Sequence, residues 1–170
     1  MMDKKVIDLL NEQINKELYS AYLYLDMSNY YAAANLNGFS NWFMVQTQEE
    51  MSHAKLFMEY LQNNSVDVKL SEINAPDLSF TDFIQPLEES YKHEQFVTAS
   101  IYTIYEAAQN AKDYRTIQFL DWFVKEQAEE EKNADELIGK YKIFAHDGKG
   151  LYVLDSELSA RVYSPPSLVL

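Results

Sequence analysis

The sequence predicts an all-α chain: a four-helix bundle with one long crossover and a short fifth helix at its C-terminus. Three observations lead there. Apolar residues recur at alternating spacings of three and four through four long stretches. The four Gly and four Pro among 170 residues fall mostly in the breaks between those stretches. One of these breaks is much longer than the others.

The first helix is expected at about 3–34, with an inward seam of Leu10, Ile14, Glu17, Ala21, Tyr24 and Ser28. Asn35-Leu-Asn-Gly38 ends it, with Gly38 expected as the left-handed or turn residue. The second helix, about 38–63, has the seam Phe43, Gln46, Glu50, His53, Phe57 and Tyr60. The long break, about 63–81, contains Pro76. A helix of about 27 residues is roughly 40 Å long, and a loop of about 17 residues reaches roughly 55 Å. Such a loop can cross the bundle from end to end, whereas the short connections imply antiparallel neighbours. The third helix, about 81–110, is expected to be capped by Thr81 or Asp82, with Gln85 completing a capping box, although Pro86 then sits deep for a first turn. Its seam reads Leu87, Ser90, Glu94, Val97, Ile101 and Ile104. The fourth, about 113–144, reads Leu120, Phe123, Gln127, Glu130, Ala134 and Leu137. A fifth is expected at about 151–160, before Pro165-Pro166 forbids continuation in the tail 161–170.

Composition removes several classes of function. The chain has no cysteine, so disulfides, iron–sulfur ligation and thiol nucleophiles are absent. The net charge of −13 argues against nucleic acid as a partner, because phosphate binding relies on clustered Lys and Arg. No apolar run reaches the ~18 residues of a membrane span. No secretory signal is legible, and the expected compartment is cytoplasmic. One 170-residue domain, with 47% hydrophobic residues, suffices for a full core.

The seams carry the chemical signal. Counted from the hairpin turns, Glu17 lies level with Glu50 and His53, and Glu94 with Gln127 and Glu130. A lone seam glutamate is commonly a snorkelling surface residue, and a lone histidine on an apolar face commonly a satisfied core residue. Four carboxylates in one layer are different, because each buried charge costs several kcal/mol. None of the 14 Lys and Arg occupies these positions, so a bound cation is the economical partner. An oxygen-rich set with one imidazole suits iron or manganese better than structural zinc.

Glu17, Glu50-Met-Ser-His53, Tyr91-Lys-His-Glu94-Gln95 and Glu126-Gln-Ala-Glu-Glu130 resemble, in order and spacing, the metal-binding segments of ferritins. Asn11–Ser20 and Gly150–Ser159 resemble bacterial non-haem ferritins in particular. The resemblance spans roughly residues 3–160 and implies a ferritin-like bundle that stores iron. It implies a ferroxidase centre with one iron on Glu17, Glu50 and His53. A second would use Glu94 and Glu130, with Glu50 bridging and Gln127 nearby. Two Fe(II) ions would reduce dioxygen or peroxide there. Bacterial members commonly have a third iron site, matched by Glu49, Glu126 and Glu129 with Glu130 shared. Tyr24 would stand beside the centre as hydrogen-bond or electron donor, and Trp122 is expected in the core or at an interface. His93 and His146 are expected to be solvent-exposed. The implied assembly is a homo-oligomeric shell of 24 subunits, with the fifth helix closing its fourfold axes.

Departures narrow the reading. The amide of Gln127 replaces a second Glu-x-x-His histidine, which separates the chain from bacterioferritins and oxygenase-type bundles. With Ser52 taken as the position of the bacterioferritin haem methionine, and Met51 one residue away, no haem is expected. Ile117 and Leu120 stand where animal ferritins carry threefold-channel acids. The tail 164–170 is less polar than expected, suited either to lining the cavity or to disorder. Two other classes compete: a di-iron or di-manganese oxidase of an organic substrate, and a metal-free structural bundle. Bulky Phe57, Ile101 and Phe123 near the layer leave little room for an organic substrate.

Overall fold

The computed structural model of the protein describes residues 2–170. Among the described residues five helices follow one another: α1 (Lys4–Ala33), α2 (Asn37–Asn63), α3 (Gln85–Ala111), α4 (Tyr114–Phe144) and α5 (Gly148–Leu158). No strand occurs among the described residues. Side-chain caps define three of the starts: Asp3, Asp113 and Asp147 accept from the amides of Lys5, Thr116 and Gly150. The cap at Asp147 starts α5 three residues before the expected 151.

Two local expectations are corrected. Gly38 is helical; the left-handed residue of that turn is Asn35, at φ 59°. Gly38 serves a close approach instead, because a Cβ there would meet the Asp155 carbonyl oxygen at 1.6 Å. The Asp155 carboxylate then accepts from the amides of Gly38 (2.8 Å) and Phe39 (3.0 Å), so α5 caps the first turn of α2. Helix α3 starts at Gln85 rather than near 81, and this later start puts Pro86 in the first turn, where its missing N–H costs nothing. The Gln85 side chain still reaches back, accepting from the amides of Thr81 (2.7 Å) and Asp82 (3.1 Å).

The segment 64–84 runs the length of α1. Asn11 accepts from the amide of Lys69, Asn15 donates to the carbonyls of Ser71 and Glu72, and Tyr31 donates to the carbonyl of Phe83. This is the long crossover that joins the α1/α2 hairpin to the α3/α4 hairpin. Tyr24 pairs with Glu94 and Gln13 with Ser100, so α1 and α3 are antiparallel; Gln46–Glu130 and Tyr60–Thr116 show the same of α2 and α4.

The buried apolar residues form two clusters rather than one. The first gathers Leu10, Ile14, Phe57, Ile101, Phe119 and Phe123 at one end of the bundle. The second gathers Tyr24, Tyr31, Phe39, Phe43, Leu87 and Leu137 at the other. The polar layer separates them.

The tail is ordered against the bundle, not loose. Ser167 accepts from the indole of Trp122 (3.1 Å), and Leu168 packs against the first cluster.

Candidate metal centre

Each helix delivers one carboxylate to the layer, held in place from a neighbouring turn or helix. On α1, Gln13 lies one turn before Glu17 and donates to its Oε1 (2.8 Å). Ser100 on α3 donates to the Gln13 amide oxygen (2.6 Å), and Lys16 donates to Ser100 (2.7 Å). A hydrogen-bonded chain therefore runs from the Lys16 ammonium to Glu17. On α2, Glu50 and His53 lie three residues apart on one face, with Nδ1 3.6 Å from Glu50 Oε2 and Nε2 3.8 Å from Glu126 Oε1. On α3, Glu94 accepts from the Tyr24 hydroxyl and from Gln127 Nε2 (3.1 Å). On α4, Glu130 accepts from Gln46 Nε2 (2.9 Å).

These positions are all buried, Glu17, Glu50, His53, Glu94 and Gln127 at 1–2% exposure and Glu130 at 5%. No lysine or arginine is buried among the described residues. Burial pushes the Glu94 carboxyl up to about 8, reinforced by Glu130. It holds Glu50 and Glu130 above the usual carboxylate range as well. For His53, burial favours the neutral ring, but the Glu126 and Glu50 carboxylates outweigh it and raise the imidazole. Such a cluster binds protons because it lacks another cation.

The donor set fits a divalent or trivalent metal. One ligand atom each from Glu17, Glu50 and His53 falls within 4.8 Å of the other two. Glu17 Oε2 and His53 Nδ1 are buried without a hydrogen-bond partner, the one an acceptor and the other a ring nitrogen turned toward Glu50. Leaving two such atoms unpaired is costly, and a shared metal satisfies both. Beside them, Tyr24, Gln46, Glu94 and Glu130 line a cavity of about 10 Å³, the room of one water molecule. It has no space for an organic substrate.

The structure thus brings together Glu17, Glu50 and His53, and packs Glu94, Glu130 and Tyr24 around the adjoining space, with Gln127 bonded to Glu94. The outer acids are less gathered. Glu49 and Glu126 keep 19% and 28% side-chain exposure on the α2/α4 face, and Glu129 is exposed. Burial raises Glu49 to about 7, opposed by the adjacent Arg161. His146 is exposed as expected, but His93 is not. Its Nε2 lies 2.7 Å from Ser20 Oγ, its ring packs against Tyr19, Tyr24 and Phe96, and burial lowers it to about 4. The 100° step from Glu94 points it at α1, a helix rather than solvent. Trp122 sets its ring edge-on to His53, 5.7 Å between centroids. Ser52 bonds Tyr163 of the tail, whereas the Met51 thioether lines an outer apolar groove with Tyr22, Leu25 and Ile73. Met51, and not Ser52, is thus the sulfur-bearing residue of this turn, and it is 39% exposed. Leu120 is wholly buried in the core, so it lines no channel.

Sequence reasoning missed Gln13, Ser100 and Lys16, and passed over Gln46 as a seam residue without a role. Gln13 had a legible signal: it precedes Glu17 by one helical turn on the same face. Ser100 and Lys16 had none, because their place depends on how α3 docks on α1.

A long-crossover bundle with a carboxylate–histidine layer buried between two apolar clusters is the build of a metal-handling ferritin-like protein. The ferritin-like domain family matches residues 7–144 of the chain. The bacterial non-heme ferritin of Campylobacter jejuni is 41% identical over 155 residues, covering 91% of this chain and 93% of the relative. That of Staphylococcus epidermidis is 34% identical over 164 residues, covering 96% and 99%. Among solved structures, an open-pore ferritin from the archaeon Archaeoglobus fulgidus superposes with a TM-score of 0.93 at 40% identity, covering 95% of this chain and all of that one. A form of that ferritin closed by mutagenesis gives 0.94 at 39% identity, covering 96% and all. The chain belongs to the ferritin family, whose members store iron.

Proposed function

We propose that the chain oxidises Fe(II) at the buried layer and deposits the ferric product inside a hollow shell of 24 like subunits. The observation that carries this reading is the pair of orphaned ligand atoms, Glu17 Oε2 and His53 Nδ1, within a group of three ligands that no buried lysine or arginine joins. Glu17, Glu50 and His53 hold one Fe(II); Glu94 and Glu130 hold a second, with Glu50 between them and Gln127 beside Glu94. Each Fe(II) gives one electron, so the pair delivers two to dioxygen and takes it to the peroxide level. Hard oxygen ligands accept both Fe(II) and Fe(III), which lets the same residues bind substrate and tolerate product.

The protein's own groups have distinct parts. Gln13 fixes Glu17 Oε1 and leaves Oε2 free for metal. Gln46 and Gln127 orient Glu130 and Glu94. Tyr24 donates a hydrogen bond to Glu94 and would stand beside the second iron. Glu49, Glu126 and Glu129 offer a third, more exposed position outside the pair, and no haem is required by this scheme. The 10 Å³ cavity disfavours an organic substrate, and the unpaired atoms disfavour a metal-free bundle.

Anaerobic calorimetric titration with Fe(II), combined with gel filtration, tests the reading. About two tightly bound ions per chain on a large assembly are expected. Absence of tight binding would sink it, and binding by a monomer would favour an oxidase outside a cage.

A further inference from the structure

The C-terminal segment crosses the α2/α4 face as a strap. Asn41 on α2 donates to the carbonyls of Leu158 (3.2 Å) and Arg161 (2.9 Å), which fixes where the chain leaves α5. Arg161 then lies over the ring of Trp42 at 3.9 Å and donates to the Trp42 carbonyl oxygen (3.3 Å). Its Nη2 donates to Glu49 Oε2 at 2.7 Å. Farther along, Tyr163 bonds Ser52 (2.7 Å) and Ser167 bonds Trp122, whose ring touches the edge of His53. The strap therefore passes over the stretch of α2 and α4 that carries Glu49, His53 and Glu126.

Arg161 is the cation of this acidic mouth. The charged groups that act on Glu49 are Arg161, Glu130, His53 and Glu126. Glu130 feels Arg161 as well. A guanidinium stacked on an indole and paired at 17% and 19% exposure is held far better than a surface ion pair. Iron bound outside the pair through Glu49 has to compete with it.

We propose that Arg161 is a positioning residue that holds Glu49 as an intramolecular counter-ion, so that a third iron ion is taken up only by displacing the Arg161 guanidinium from that carboxylate. The inference rests on the ferroxidase reading above and adds to it a residue that sets how tightly the outer position takes iron. Removing the guanidinium leaves Glu49 free for metal, whereas a lysine preserves the charge.

Anaerobic Fe(II) calorimetry on the assembled protein tests this with four samples: wild type, Arg161→Gln, Arg161→Lys and Tyr163→Phe. Binding of the tight pair is expected to stay within a few-fold of wild type in all, since Arg161 contacts Glu49 and acts on Glu130 only through its charge. The third ion is expected to bind about tenfold more tightly to Arg161→Gln than to wild type. Arg161→Lys is expected to stay within a few-fold of wild type. Tyr163→Phe, which loosens the strap but keeps Arg161, is expected to leave the third affinity unchanged. An intact pair with no gain for the third ion in Arg161→Gln overturns the inference and spares the function. An equal gain in Tyr163→Phe also overturns it, since the strap and not the charge would then be responsible. If no sample binds the pair, the ferroxidase reading falls and the inference falls with it.

Discussion

Glu50→Ala is expected to abolish rapid Fe(II) oxidation while leaving the shell assembled. Glu50 is 2% exposed, lies 3.6 Å from the His53 ring, and feels the charges of Glu94 and Glu17 from the other hairpin and the other helix. In the proposed arrangement it is the one carboxylate shared by both irons, so its loss empties the pair instead of weakening one ion. Enzymes that rely on two adjoining metals lose their positioning and charge neutralisation together, and a drop of roughly a hundredfold or more in the initial rate is expected. Stopped-flow absorbance of the ferric product reads it directly. Glu88→Ala, a half-exposed acid in the first turn of α3, serves as control and should leave the rate unchanged. A wild-type burst in Glu50→Ala would show that the iron pair lies elsewhere.

The second large effect is on the stability of the iron-free protein. Burial raises Glu94 to about 8, and Glu50 and Glu130 are raised for the same reason. A carboxyl raised on folding binds its proton more tightly in the native state than in the unfolded chain. Its contribution is full below the ordinary value of 4.5 and is lost as pH climbs through the folded value. The melting temperature of iron-free protein is therefore expected to fall between about pH 5 and pH 8. Glu94→Gln keeps the shape and the acceptor for Tyr24 but cannot ionise. It is expected to flatten this fall and to stabilise the iron-free protein at pH 8 by on the order of a few kcal/mol. Fe(II) reverses the trend, since it binds the ionised carboxylates and displaces their protons. Scanning calorimetry across the pH range, with and without metal, checks both. A melting temperature that rises through this window, or a Glu94→Gln protein less stable than wild type at pH 8, would contradict the account. The residues proposed to bind iron are thus expected to be the ones that destabilise the bundle without it.

Much of this was legible in the chain. Seam periodicity placed the four long helices, and the excess length of segment 64–84 over a hairpin turn revealed the crossover. The six polar residues of the layer were legible because each interrupts an apolar seam at a matching depth. What escaped depended on docking between elements distant in sequence. Gly38 looked like a turn glycine because nothing local reveals that the Asp155 backbone passes against it. His93 looked exposed because the step from Glu94 gives its direction but not the helix that lies there. Arg161 could not be paired with Glu49, 112 residues away, until α5 was seen to cap α2 and launch the strap.

The central claim is that the layer holds a pair of irons within one subunit. Crystals soaked with Fe(II) without oxygen, with anomalous diffraction measured at the iron edge, test it most directly. Two peaks per chain are predicted inside the bundle, one among Glu17, Glu50 and His53 and the other between Glu50, Glu94 and Glu130. Iron confined to surface carboxylates, with the layer empty, would contradict it.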